Sequence, residues 1–460
     1  MCSGPIPSGT FMEIKSFKLV NVGRFSDLEV ALAPTENHAS KVTVLVGNNG
    51  AGKTTLLESL STLLTWLIAR IRSERGAGKK VALERIKNNA DFSEVSILLS
   101  ESFPFADRAQ FGWQLSSVRP GRKVESRTNL IHLALLADGY RTLLTDSGAT
   151  SLPLIAYYPA ERSVVDIPLE APFRPPYRQL DGYEDALSRG VDFRQFFEWF
   201  RDREDRENEN GVSSDTLMRA QQKHGPDSIE YEVLLRLNES SRDRELTAVR
   251  SAIYAFMPAF ANLRVRRQPQ AHMTIDKHGE TLNVLQLSQG EKSMMALVGD
   301  IARRLAMMNP ALENPLQGNG IVLIDEVDLH LHPKWQRSLI AQLTTTFPNC
   351  QFLLTTHSPL VISDSKDVLV YVMDDGELRE QDSLYGLDAN QVLSSVMDTG
   401  IRNEAVQTCL DEMQHFLIRG ELDEARTLYG VLADQLPADH IELARASLLI
   451  RKLEIRREKD

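Results

Sequence analysis

An apolar run, Val42-Thr43-Val44-Leu45-Val46, stops at Gly47-Asn48-Asn49-Gly50-Ala51-Gly52-Lys53-Thr54-Thr55, and no other stretch constrains the fold as tightly. Leu56, Leu57, Leu60, Leu63, Leu64 and Leu67 then recur at helical spacing, which predicts a helix from Thr54 to about Arg72. A buried strand, a glycine loop and a helix in that order form a phosphate cradle: glycines let the backbone approach closely, and the helix N-terminus and loop amides attract negative charge. The segment fits the pattern GxxxxGK[ST], in which Lys53 reaches the terminal phosphates and Thr54 offers a hydroxyl to Mg²⁺. An ordinary glycine turn is the plain alternative, and the correct flanks weigh against it.

A second apolar run, Ile321-Val322-Leu323-Ile324, ends in Asp325-Glu326. Carboxylates at the C-terminal edge of a buried strand are placed to act on a phosphate held beside it. Asp325 is the candidate for the Mg²⁺ shell and Glu326 for orienting and polarising an attacking water. Taken alone, an acid pair before a helix is weak; following a phosphate loop, it points to ATP hydrolysis. Between the two runs lies Leu287-Ser288-Gln289-Gly290-Glu291-Lys292, opening a helix predicted from Gly290 to about Met308. Ser288 with Glu291 three positions on also reads as a simple capping box. Downstream, Val327-Asp328-Leu329-His330-Leu331-His332-Pro333 precedes another helix, and Thr355-Thr356-His357-Ser358-Pro359 follows the strand Gln351 to Thr355. His330 and His332 could suggest a metal pair, but no third ligand with suitable spacing accompanies them.

Leu-Ser-x-Gly-Glu at a helix start, set between a P-loop and a Walker B strand, resembles the signature of ABC ATPases. The loop ending in His332-Pro333 is similar to the D-loop of SMC-, RecF- and OLD-like heads, and His357 to their switch histidine. The resemblance covers residues 12 to about 385 and implies an α/β fold: an ABC-ATPase head with a P-loop parallel sheet, an antiparallel β subdomain, an inserted helical lobe and C-terminal helices. It implies nucleotide contacts at Gly47, Asn48, Asn49, Gly50, Ala51, Gly52, Lys53, Thr54 and Thr55. In the family Ser288, Gln289, Gly290 and Glu291 face the nucleotide of the opposite subunit, so ATP is sandwiched in a head-to-tail homodimer or higher oligomer. Catalytic roles fall to Glu326, His357 and Lys53, and metal binding to Thr54 and Asp325, with ATP and Mg²⁺ as cofactors. A glutamine loop has no clear counterpart; Tyr157-Tyr158-Pro159-Ala160-Glu161-Arg162 occupies a plausible region, with Arg162 a substitute contact or simply a surface residue.

The expected organisation is an extension at 1–11, the first part of the head at 12–165, a helical lobe at 166–270, the second part of the head at 271–385 and a helical, partner-docking region at 386–460, with core packing of those last helices against the head as the equal alternative. Strand signals at Val95–Leu99, Phe111–Leu115 and Leu154–Tyr158 suit an antiparallel sheet, and the charge-dense run Arg201–Asn210 reads as a solvated helix face or loop rather than a binding arm. The 52 Lys and Arg against 63 Asp and Glu give a formal charge of −11, so any nucleic-acid contact must be local. Three arginines, Arg264, Arg266 and Arg267, are one candidate, or else an exposed strand edge. Only Cys2, Cys350 and Cys409 are present, without a CxxC pair, which suits a reducing cytoplasm; neither an export signal nor a membrane span is evident.

The short head, Tyr157-Tyr158-Pro159 with Arg162, the DxHLHP loop and Tyr385-Gly386-Leu387-Asp388 together look like the ATPase subunit of Septu-type antiphage defence systems, including those joined to retrons. That resemblance implies a separate HNH-type nuclease as partner, with a reverse transcriptase and structured retron RNA/DNA as further partners. The alternatives are a RecF- or SMC-like DNA-repair ATPase and a nucleotide-sensing scaffold with little turnover.

Overall fold

The computed structural model describes residues 12–103, 106–146, 150–161, 177–188, 191, 193–212, 214–381, 384–397, 402–437 and 439–457. The extension 1–11 and Arg162 lie outside them. Two compact units part between Leu387 and Asp388.

The first unit opens with β1 (Glu13–Val22), β2 (Phe25–Ala31) and β3 (Val42–Gly47), followed by α1 (Lys53–Arg72), β4 (Phe92–Phe103), β5 (Ala106–Val118), α2 (Ile131–Asp146) and β6 (Leu154–Tyr158). Four of these strands form an antiparallel sheet ordered β2-β1-β4-β5. Helices α3 (Phe193–Asn210), α4 (Ser214–His224), α5 (Ile229–Ser240) and α6 (Arg244–Phe256) come next, then the antiparallel strands β7 (Phe260–Arg266), β8 (His272–Lys277) and β9 (Glu280–Asn283). The chain returns through α7 (Gln289–Met308), β10 (Gly320–Ile324), α8 (Pro333–Thr346), β11 (Cys350–Thr356), the short α9 (Pro359–Ser363), β12 (Leu369–Asp374) and β13 (Glu377–Gln381).

The central sheet has the order β13-β12-β3-β11-β10-β6 and is parallel except for β13. Its strands β3, β10, β11 and β6 are buried at every position, as a sheet covered on both faces requires. One cover is α1, which packs against this sheet and β4, so its leucines are buried all round. Another is α7, buried from Met294 to Met308 against α3, α6 and β6. The hairpin β12–β13 closes on Asp375 (φ 39°) and Gly376 (φ 87°), the left-handed pair that an Asp-Gly turn supplies.

Two expectations are corrected. Leu154–Tyr158 joins the parallel sheet, with Tyr158 opposite Ile324, because a strand buried on both faces has no alternation to display. The run Arg201–Asn210 is a helix end as expected, exposed at Arg206 and Asn208–Asn210, but Arg203, Glu204, Asp205 and Glu207 are engaged rather than solvated. Buried Glu204 accepts from Arg250 at 2.9 Å and from Arg267 at 2.9 Å, Glu207 accepts from Arg250 at 2.8 Å, and Arg203 reaches Asp243 at 3.1 Å. The network ties α3 to α6 and to the chain just after β7.

The second unit comprises α10 (Ala389–Ser395), α11 (Glu404–Arg419), α12 (Leu422–Gln435) and α13 (Ile441–Arg457). Leu410, Met413 and Leu417 of α11, Leu422, Ala425 and Leu432 of α12, and Leu443, Ala446 and Ile450 of α13 make its core. These positions recur at helical spacing, the periodicity expected of amphipathic helices.

Candidate active site

Parallel pairing brings the C-terminal ends of β3, β10, β11 and β6 to one edge of the sheet, and the loops leaving those ends carry the candidate residues. At the end of β3, Gly47 lies so close to the neighbouring strand that a Cβ would stand 2.4 Å from the Met373 carbonyl oxygen, so only glycine fits. Asn48, Asn49 and Gly50 are exposed and Ala51 is buried, its amide donating to the Asn48 carbonyl at 3.1 Å. Gly52 precedes α1, and Lys53 folds back so that its Nζ donates to the carbonyls of Gly47 at 2.7 Å and Asn48 at 3.2 Å. Burial lowers the Lys53 pKa, against the pull of Asp325, Glu326 and Asp328. An ammonium partly stripped of water and held to two loop carbonyls beside a helix N-terminus is prepared for an anion. Thr55 turns away, its hydroxyl accepting from Arg85 at 3.2 Å.

Thr54 Oγ1 donates to Asp325 Oδ2 at 2.7 Å across 271 positions of sequence, which joins the phosphate loop to the end of β10. The second carboxylate oxygen, Oδ1, accepts from Thr355 Oγ1 at 2.5 Å, and the Asp325 amide donates to the Tyr158 carbonyl at 2.8 Å. Glu326 follows with φ 47°, a conformation uncommon outside glycine, and its amide donates to Thr355 Oγ1 at 2.7 Å. One hydroxyl on β11 thus holds both acidic positions of β10.

Asp328 accepts from Thr356 Oγ1 at 2.5 Å and from the His357 amide at 3.4 Å. Gln336 on α8 braces the same turn, donating to the Leu331 carbonyl at 2.9 Å and accepting from Ser358 Oγ at 2.8 Å. His332 caps α8 through Nδ1, which accepts from the Lys334 amide at 3.2 Å, so capping accounts for it. Burial, and then the charge of Lys53, depress the His357 pKa below its ordinary 6.5, which favours the neutral ring.

Ser288 caps α7 in a capping box with Glu291, as the spacing suggested, and Ser288 and Gln289 are exposed. Gly290 is required here too: a Cβ would lie 2.3 Å from the His330 carbonyl oxygen. Among the described residues no hydrogen bond joins Ser288–Glu291 to the phosphate loop of the same chain. The structure therefore gathers Gly47–Thr54, Asp325, Glu326 and His357 at one sheet edge and leaves Ser288–Glu291 with its own surroundings.

An AAA domain matches residues 16–253, and an AAA domain described as a putative AbiEii toxin of a type IV TA system matches 164–363. The retron Vc95 probable ATPase of Vibrio cholerae serotype O1 biovar El Tor is 30% identical over 449 residues, spanning 90% of this chain and 85% of that one. The chain belongs to the retron-type ATPases. The retron Ec83 probable ATPase of Escherichia coli is 29% identical over 485 residues, spanning 96% of this chain and 88% of the other. A Septu protein PtuA from Bacillus mycoides (strain KBAB4) is 40% identical over 94 residues, which is 20% of this chain and 13% of that one.

Several residues that position this ATPase's site carried no signal strong enough to single them out. Tyr158 donates through its hydroxyl to Asp300 Oδ2 at 2.9 Å while its carbonyl holds the Asp325 amide. Asp300 on α7 is wholly buried between Arg303 at 2.6 Å and Arg304 at 2.7 Å. Burial opposes its charge, but the two guanidiniums outweigh it and hold the carboxyl below its usual range. Arg304 also donates to the carbonyls of Gly182 at 2.6 Å and Glu184 at 2.9 Å, fastening that segment to α7. A cavity of about 720 Å³ opens beside Thr54 and Asp325 and is lined by Tyr157, Pro159, Glu161 and Lys80 among others. Among the described residues no helix is long and apolar enough to cross a membrane.

Proposed function

We propose that this ATPase binds ATP on Gly47–Thr54 and hydrolyses it with Glu326, and that two copies close around the nucleotide. The observation that carries the reading is the Thr54 to Asp325 hydrogen bond at 2.7 Å, which puts a hydroxyl and a carboxylate together beside the phosphate cradle. Oxygen donors of this kind suit a hard divalent cation, so Thr54 and Asp325 are the residues to hold Mg²⁺. Bound there, Mg²⁺ would neutralise charge on the phosphates. Lys53 binds the terminal phosphates, Glu326 orients the attacking water, and neutral His357 contacts the γ-phosphate or that water. Ser288 and Gly290, which share no hydrogen bond with their own phosphate loop among the described residues, receive the nucleotide of the second copy. Replacing Glu326 with glutamine keeps the shape and removes the base; ATP binding is expected to persist while phosphate release falls below about 1% of wild type. Unchanged hydrolysis would end this assignment.

At the level of the cell, we read the chain as a cytoplasmic defence ATPase whose ATP cycle restrains or delivers a separate effector. The names of its retron and Septu relatives support a defence role. The effector implied by the Septu resemblance is an HNH-type nuclease, with a reverse transcriptase and structured RNA/DNA in retron-joined systems. Tagged Glu326→Gln protein, expressed with its neighbouring genes and purified in Mg-ATP, should retain such partners in fixed stoichiometry; recovery of the homodimer alone would refute the assembly.

A direct nucleic-acid contact is the second reading, and one surface favours it. Between Arg70 and Lys87 there are seven basic and two acidic side chains in a chain of net charge −11. Arg72, Arg75, Lys79 and Lys80 are exposed, and Lys79 and Lys80 line the 720 Å³ cavity. The backbone there is fixed on α1, where the Lys79 amide donates to Thr65 Oγ1 at 2.8 Å and its carbonyl accepts from Trp66 at 2.7 Å. By contrast Arg267 is engaged with Glu204 and Asp205, so Arg264–Arg267 makes a poorer contact surface than the sequence suggested. Affinity for a duplex that falls steeply with salt, and less steeply in Lys79→Ala/Lys80→Ala, would support this reading; salt-independent or absent binding would remove it.

A further inference from the structure

Glu291 places a negative charge in the first turn of α7, at the end of the helix that is otherwise suited to an anion. Its Oε2 accepts from the Ser288 amide at 2.9 Å and from Ser288 Oγ at 2.9 Å. The hydroxyl that would greet a phosphate is therefore bound to a carboxylate, and a polyphosphate approaching Ser288 meets a like charge. Lys277, the last residue of β8, answers that charge: its Nζ lies 2.6 Å from Glu291 Oε1 and 5.4 Å from the centre of the Phe260 ring. The lysine is not needed to hold its strand, which is already paired at Lys277 with Phe260 of β7 and Glu280 of β9. Its side chain is about one-third exposed while that of Glu291 is mostly buried, so the pair is only partly screened by solvent.

We propose that Lys277 is a positioning residue for nucleotide presented by a second copy of this chain: by cancelling the Glu291 charge it lets Ser288 and the first-turn amides of α7 accept the incoming polyphosphate. The inference rests on the reading of Ser288–Glu291 as the surface that closes on the opposite nucleotide. It assigns Lys277 a task that packing alone would not give it, because what matters is the sum of two charges. Removing Lys277 leaves Glu291 uncompensated; removing both restores neutrality. Comparing the single Lys277 variant with the double variant separates these cases.

The test uses full-length protein carrying Glu326→Gln, so that ATP is not consumed, and reads ATP-dependent dimer formation by light scattering in Mg²⁺. Lys277→Met keeps the aliphatic stem over Phe260 and is expected to raise the ATP concentration for half-maximal dimer by about tenfold, the scale of a charge at a helix terminus. Lys277→Arg should stay within about twofold of the parent, and Lys277→Met/Glu291→Gln should return to within about threefold. Binding of a fluorescent ATP analogue by the dilute monomer, read alongside, should be the same in all four proteins. A Lys277→Met protein that dimerises like its parent overturns the inference and leaves the dimer reading standing, as does a double variant no better than the single one. A parent that forms no dimer at any ATP concentration overturns both.

Discussion

Valine in place of Thr355 deletes two hydrogen bonds at the centre of the site with almost no change in side-chain shape. The Thr355 hydroxyl is wholly buried; it donates to Asp325 Oδ1 at 2.5 Å and accepts from the Glu326 amide at 2.7 Å. A hydrogen bond to a charged group contributes about 1.5–3 kcal/mol, and a typical neutral one about 1 kcal/mol. Because the valine methyl fills the space, no cavity adds to this, and the expected loss of stability is about 3 kcal/mol. The effect on turnover has a separate origin. Glu326 holds φ 47°, which costs on the order of 1–3 kcal/mol for a non-glycine residue and persists only where surrounding contacts enforce it. Freed from Thr355, its backbone can relax, and a carboxylate displaced by roughly 1 Å loses on the order of 10²-fold in rate. Steady-state phosphate release gives kcat and KM, urea unfolding gives the stability change, and Thr355→Ser, which keeps the hydroxyl, should stay within about threefold of wild type in kcat. A Thr355→Val protein with wild-type kcat and an unchanged urea midpoint would refute the claim that this hydroxyl organises both acids.

Asp300→Asn strips the counter-charge from two buried guanidiniums, Arg303 and Arg304, and is expected to cost about 3–5 kcal/mol; a melting temperature equal to wild type would contradict it. His357 binds its proton less readily in the folded chain than in the unfolded one, so its contribution to stability is full above about pH 6.5 and is lost as pH falls toward the depressed folded value. Nucleotide-free wild type should therefore lose urea resistance relative to His357→Gln between pH 7.5 and 5.5, and parallel curves would argue against it. Burial pushes the Cys350 thiol up to about 12, so iodoacetamide at pH 8 should leave it unmodified in folded protein and label it in urea, as peptide mass spectrometry would read.

The parts of the site that lie along one stretch of chain were legible from the sequence, and the parts made by neighbouring strands were not. Gly47–Thr54 and Ile321–Glu326 announce themselves because strand, loop and terminal acids are consecutive. The partners that aim them come from pairing: Thr355 meets Asp325 because β10 and β11 run parallel with Ile324 opposite Leu354. Hydrophobic runs give strands, but a strand buried on both faces looks the same beside any neighbour, so the order β3-β11-β10-β6 has no local signature. The same blindness put Leu154–Tyr158 with the antiparallel strands. Charge shows a further limit. Asp300 with Arg303 and Arg304 has the spacing of an ordinary exposed helix pair, and only the covering of α7 on every side makes it a buried centre.

That centre links features which the sequence presents separately. Tyr158 gives its hydroxyl to Asp300 on the helix that begins at Ser288, and its carbonyl to the amide of Asp325. The helix that opens at Ser288 and the acid beside Thr54 are thus bonded to one residue of β6, and neither can shift without breaking a buried hydrogen bond or carrying Tyr158 with it. Arg304, held by the same carboxylate, extends the bond to the Gly182–Glu184 segment. Since close-packed interiors transmit displacement rather than absorb it, a shift of α7 at Asp300 is expected to reach Asp325 through Tyr158.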